Sequence, residues 1–149
     1  MTDEEKEIKR MHMQLLEGDC YIDAEQDLEY PPLALSFGEQ TIQTKKGNKI
    51  YPVPIGTYGN FSFVQAPPKS KKTFFISLLS AVFLKGTLDG FGGDLKGHRD
   101  GKCLIHFDTE QGKFHAQKVF KRVLDMTGLT KECYHTFGLR TLSYKERID

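Results

Sequence analysis

The sequence predicts an α/β fold with a mainly parallel sheet, and three observations carry that expectation. A short β-prone run at 61–64 enters a Pro/Lys/Ser turn that opens directly into an apolar helix. A second apolar run, at 103–107, ends in the acids Asp108 and Glu110, and a second helical pattern follows it. Strand, loop, helix, strand, helix is the order that builds a βαβα layer.

Residues 1–30 form an acidic helical segment of their own. Thr2 with Glu5 three positions on is a capping-box start, and Ile8, Met11, Leu15 and Leu16 make a narrow apolar stripe as far as Gly18. The stripe suits docking on a neighbour, whereas the acidic lead-in equally suits partial disorder before Pro31 and Pro32. After the prolines, 33–37, 39–44 and 49–53 read as short strands, the last two joined around Lys45, Lys46, Gly47 and Asn48 as a β-hairpin.

The run FSFVQAPPKSKKTFF at 61–75 reads as a phosphate-binding loop. A turn that leads straight into a helix aims unpaired backbone N–H groups and the positive end of the helix dipole at one point. In the pattern G-x-x-x-x-G-K-[ST], Ala66 holds the first glycine position and Lys71 the second. Pro67, Pro68, Lys69 and Ser70 lie between them, and only Lys72 and Thr73 match. Glycine reaches positive φ without cost, so Ala66 and Lys71 require a different loop path or some strain. The competing reading is a solvated basic turn between strand and helix.

Phe74, Phe75, Leu78, Leu79, Val82 and Phe83 recur at three- and four-residue spacing, so this helix is buried on more than one side before Lys85 and Gly86 stop it. The glycine-rich stretch 90–101 reads as a mobile loop. Beyond the strand at 103–107, Glu110 is a candidate to orient water at a phosphate, or else a helix-capping or salt-bridging acid. Asp108 either contacts magnesium or caps the following turn with its short side chain. Phe114, Val119, Phe120, Val123, Leu124 and Met126 mark the next helix, 133–142 another strand, and Ser143 with Glu146 a further capping box.

Together FSFVQAPPKSKKTFFISLL and CLIHFDTEQGKFHAQKVFKRVLDM resemble the RecA-like P-loop ATPases, most closely the RepA-like ATPases of bacterial plasmids and mobilisable elements. The S-K-K-T form of the loop recurs there, and the resemblance runs from about residue 33 to the end of the chain. It implies ATP and Mg2+ as cofactors, Lys72 gripping phosphate, Thr73 assisting the metal, and Glu110 polarising the attacking water. It also implies a DNA replication or mobilisation protein that is a homo-oligomer when complete. One departure stands out: the Walker B strand, with its magnesium-site aspartate, should follow the last helix and is missing. The expectation is therefore the N-terminal part, 31–149, of a truncated RecA-like domain that binds nucleotide, with hydrolysis left open.

Composition bounds the alternatives. With 38% hydrophobic and 28% charged residues and a mean hydropathy of −0.46, the chain reads as an ordinary soluble one. No apolar run approaches the roughly 18–20 residues that span a bilayer, and no signal peptide is evident. Cys20, Cys103 and Cys133 are odd in number and far apart, which suits a cytoplasmic location and offers no zinc spacing. His106 and His115 read as packing or surface residues. The net charge of +1 conceals an asymmetry: residues 1–30 carry ten acids and three bases, net −7, leaving +8 on residues 31–149. That suits nucleotide first and DNA second as partners, although no aromatic-interleaved single-strand platform is evident. The rival function is a non-hydrolysing nucleic-acid or protein interaction module, or an inactive fragment.

Overall fold

The computed structural model describes residues 2–18, 21–25, 29–44, 47–90, 93–143 and 145. The chain divides into two units, Met1–Tyr30 and Pro31–Asp149. Cys20, Lys45, Lys46 and, from the helix start expected at 143–146, Tyr144 and Glu146 lie outside the described residues.

In the first unit, helix α1 spans Asp3–Glu17. The Thr2 hydroxyl accepts from the Glu5 amide at 3.2 Å, and the Glu5 carboxylate accepts from the Thr2 amide at 2.6 Å, so both arms of the capping box form. None of its residues is buried, and Ile8, Met11, Leu15 and Leu16 all face solvent.

The second unit begins with a long ribbon of β1 (Leu33–Thr44) and β2 (Gly47–Thr57), paired antiparallel. The register shifts between Ser36 and Glu39, where Gly38 takes a φ of 66°, so the two short strands expected here form one bulged strand. Strand β3 (Leu95–Gly97) adds antiparallel to the other side of β1, within the stretch expected to be a mobile loop. Leu95 is buried, which explains why that segment is held. Strands β4 (Leu104–Asp108) and β5 (Tyr134–Gly138) make a separate parallel pair. Helix α3 (Lys113–Thr127) links them, followed by a 3₁₀ turn at Lys131–Cys133.

This architecture corrects the expected RecA-like core. The sheets are a three-stranded antiparallel one, ordered β2, β1, β3, and a two-stranded parallel one, rather than a single mainly parallel sheet. The reason is connectivity. Parallel neighbours need a crossover of a dozen residues or more; the one through α3 sets β4 beside β5, whereas the long connection through α2 brings β3 back antiparallel against β1. The strand expected at 61–64 also does not form: Phe61, Phe63 and Val64 are irregular, exposed and outside both sheets.

Helix α2 (Lys72–Lys85) is the hub. Its stretch from Ser80 through Leu84 is buried without a break, and it packs against α3, β3 and β1. Leu78, Ala81, Val82, Phe83 and Leu84 meet Leu88, Leu95, Val123 and Tyr134 in one core. Each large apolar side chain there contributes about 1.5–3 kcal/mol by leaving water. The Gly86 amide closes the helix on the Val82 carbonyl at 2.7 Å. Polar bonds tie the antiparallel sheet to the β3 side: fully buried Ser36 shares a 2.8 Å hydrogen bond with His98. The Tyr58 hydroxyl donates to the carbonyls of His98 and Arg99 at 2.8 and 3.0 Å, while its ring meets Phe83 edge-on.

Gly97 allows β3 to lie directly on α2. A Cβ there would sit 2.1 Å from the Val82 carbonyl oxygen and 2.7 Å from the Phe83 Cα, both backbone atoms that cannot swing aside. Gly97→Ala is therefore expected to destabilise the fold by about 3 kcal/mol, the upper end of overpacking costs. The urea unfolding midpoint measures it; a midpoint unchanged from the parent would show that β3 does not hold this close approach.

Candidate functional site

The end of β4 and the start of α2 meet at a cavity of about 260 Å³. One wall is Lys72, Thr73 and Ile76; the other is His106, Phe107, Asp108, Thr109, Glu110 and Gln111. Residues some 35 positions apart in sequence thus share one depression at the carboxyl end of a parallel strand, the edge where open α/β sheets place ligands.

Each wall has a local cause. Asp108 is buried at the last position of β4, and its Oδ1 accepts from the amides of Glu110 at 3.0 Å and Gln111 at 2.8 Å. This cap turns the chain sharply and leaves Glu110 exposed at the rim. The Asp108 carbonyl accepts from the Leu139 amide at 2.7 Å, which ties the turn to the end of β5. On the opposite wall, Lys71 stands at the helix N-cap with φ 61° and ψ 27°, and no side chain caps the helix. Lys69 is left-handed too, at φ 64°. Non-glycine residues held this way cost on the order of 1–3 kcal/mol each. Lys71 occupies the second glycine position of the loop pattern, so strain falls at a position the sequence marks for it.

The Lys72 ammonium donates to the Ala66 carbonyl at 2.9 Å, folding back over its own loop. Ala66, Pro67, Pro68, Lys69, Ser70 and Lys71 do not line the cavity, and that single bond links the loop to its wall. The prolines have no amide to offer, and the Ser70 amide turns inward to the Pro67 carbonyl at 3.3 Å. Of the candidate residues, the structure therefore brings Lys72, Thr73 and Glu110 together and leaves the rest of the loop outside.

His106 was expected to be a packing or surface residue, yet it is both packed and cavity-lining. Its Nδ1 shares a 2.9 Å hydrogen bond with the Tyr134 hydroxyl, and its ring meets Phe120 edge-on at 5.0 Å. Burial holds the imidazole below its ordinary value of 6.5, against the opposing pull of Asp108. Burial also pushes the Tyr134 hydroxyl up to about 12. The alternation in LIHFD, with 104, 106 and 108 on the inner face, is the signal that points to His106.

Among the described residues no group of three or more His, Cys, Asp or Glu side chains is placed to hold a metal ion. Thr73 and Asp108 nonetheless face the same cavity, and with one Asp108 oxygen taken by two amides they form a sparse oxygen set. That fits Mg2+ only where phosphate oxygens and water complete the shell, which is how this ion is commonly held. Among the described residues no helix is long and apolar enough to cross a membrane. No protein-family model, curated protein or solved structure matches the chain.

The lowered His106 value sets a pH dependence. The unfolded chain takes up a proton near 6.5 while the folded chain resists, so stability is complete above that pH and falls as pH drops through the His106 value. Unfolding midpoints measured from pH 7.5 to 5 should decline, and His106→Gln should flatten that decline. An equal slope in both proteins would rule out this origin.

Proposed function

We propose that the chain binds a nucleoside triphosphate, ATP with magnesium, with its phosphates between Lys72 and the carboxyl end of β4. The observation that supports this is the shared cavity: a helix-start lysine and threonine face an aspartate and a glutamate across about 260 Å³. That volume is below the roughly 300–1,000 Å³ of sites that enclose a whole small molecule, and it suits the phosphates with the nucleoside lying outside. In this reading Lys72 leaves the Ala66 carbonyl for phosphate oxygens, and the uncapped first turn of α2 adds its amides and dipole. Thr73 and the free oxygen of Asp108 are the groups available to Mg2+, which neutralises phosphate charge when bound. Glu110, exposed at the rim, orients water toward a terminal phosphate. A place in DNA replication or mobilisation, as a homo-oligomer, rests on the motif resemblance, and a cytoplasmic location on the cysteine usage; both are proposed on that footing.

One observation favours a second reading. Phe61 and Phe63 are 84% and 88% exposed and meet edge-on at 5.5 Å, a few residues before Lys69 and Lys71. Exposed rings beside lysines suit stacking on single-stranded nucleic acid. No platform was expected from the sequence; it arises because the segment pairs with neither sheet.

Titrating ATP–Mg2+ against the chain and its Lys72→Ala variant separates the readings. Loss of a charge-assisted phosphate bond, about 1.5–3 kcal/mol, corresponds to roughly 10- to 100-fold weaker binding in the variant. Glu110→Gln should keep the affinity and abolish any hydrolysis. If nucleotide does not bind, and salt-sensitive oligonucleotide binding disappears in a Phe61→Ala, Phe63→Ala variant, the interaction module is correct.

A further inference from the structure

Two of the three cysteines, remote in sequence, are neighbours in the fold. The parallel register begins by pairing Leu104 with Tyr134, and Cys103 and Cys133, the latter closing the 3₁₀ turn, are the residues joined to that first pair at the amino ends of β4 and β5. Adjacent strands lie about 4.8 Å apart, inside the Cα separation of roughly 4.4–6.8 Å that a disulfide spans. The two thiols are close enough to act on each other electrostatically. Both are free thiols, Cys103 exposed and Cys133 partly buried, so one is open to an external reagent and the other waits behind it.

We propose that Cys103 and Cys133 form a reversible dithiol–disulfide site whose reaction partner is a low-molecular-weight disulfide. Cys103, deprotonated by solvent, attacks one sulfur of the reagent, breaking its S–S bond and expelling one thiolate. Cys133 then loses its proton, attacks the Cys103 sulfur of the mixed disulfide and expels the second thiolate. The two protons end on the two released thiols. Two electrons pass from the cysteines to the reagent, and a dithiol reductant reverses the reaction. The bond closes residues 103–133, with β4, α3 and the 3₁₀ turn, into one covalent loop, fastened at the end of β4 opposite Asp108 and just ahead of β5. This site does not depend on the nucleotide reading.

Desolvation, followed by the neighbouring Cys133 thiol, raises the Cys103 thiol above its ordinary value of 9.0, with Arg99 opposing. The first step is therefore slow at neutral pH and accelerates about tenfold per pH unit while the thiol stays mostly protonated.

The test incubates the full chain with oxidised glutathione at pH 8, alkylates residual thiols, and maps peptides by mass spectrometry with and without guanidinium. The expected result is a linked peptide pair containing Cys103 and Cys133 with Cys20 alkylated, formed at least tenfold faster in the folded chain and removed by dithiothreitol. Cys133→Ser should stop at a glutathione adduct on Cys103. Glutathione adducts on both cysteines of the parent chain, bonds to Cys20 or between copies, or equal rates in guanidinium would each overturn the proposal.

Discussion

From Ser77 onward α2 has almost no polar face, and a helix of that kind is stable only when neighbours cover it on several sides. That requirement organises the second unit. α3 supplies one cover, β1 and β3 others, and the core is the set of side chains where they converge. Cover from β3 is possible because Gly97 presents no side chain to the Val82 carbonyl, and its amide adds a 2.7 Å bond to Gly86. The antiparallel sheet and the βαβ unit share no strand, so α2 between them joins the two halves of the unit.

A buried hub also fixes where its own first turn emerges. Lys72 and Thr73 are exposed, but the turns that follow are not free to move, so the two residues are presented opposite Asp108 and Glu110 at a set separation. The left-handed Lys71 marks the junction. Its strain is tolerated because packing beyond it overdetermines the helix direction, the circumstance in which such conformations persist. On the opposite wall, a buried carboxylate that accepts two amides fixes the course of the turn after β4.

What could be read from residues was local. The apolar periodicity of 74–83 and 114–126 locates both helices, and Gly86 closes the first in the expected way. The Thr2 and Glu5 capping box is equally explicit. Pairing was not legible, because the parallel or antiparallel sense of a strand depends on partners that a β-prone run does not name. Hence the mainly parallel sheet was wrong, and the run at Phe61 and Phe63 proved to have no partner in either sheet. Leu95 became a strand through burial under α2, a tertiary effect that outweighs the glycines around it. For the site, Lys72, Thr73 and Glu110 were legible from motif spacing and His106 from the alternation along β4, whereas the Cys103, Cys133 neighbourhood needed the register of β4 and β5.

The ribbon strand β2 carries Pro52 and Pro54 and lies at the edge of its sheet. Proline contributes no donor to a ladder, so the outer margin of β2 offers an interrupted row of hydrogen-bonding groups. Neither β4 nor β5 contains a proline, and each has one flank unpaired among the described residues. The outer margin of β2 is thus a poorer template for added backbone than the unpaired flanks of β4 and β5.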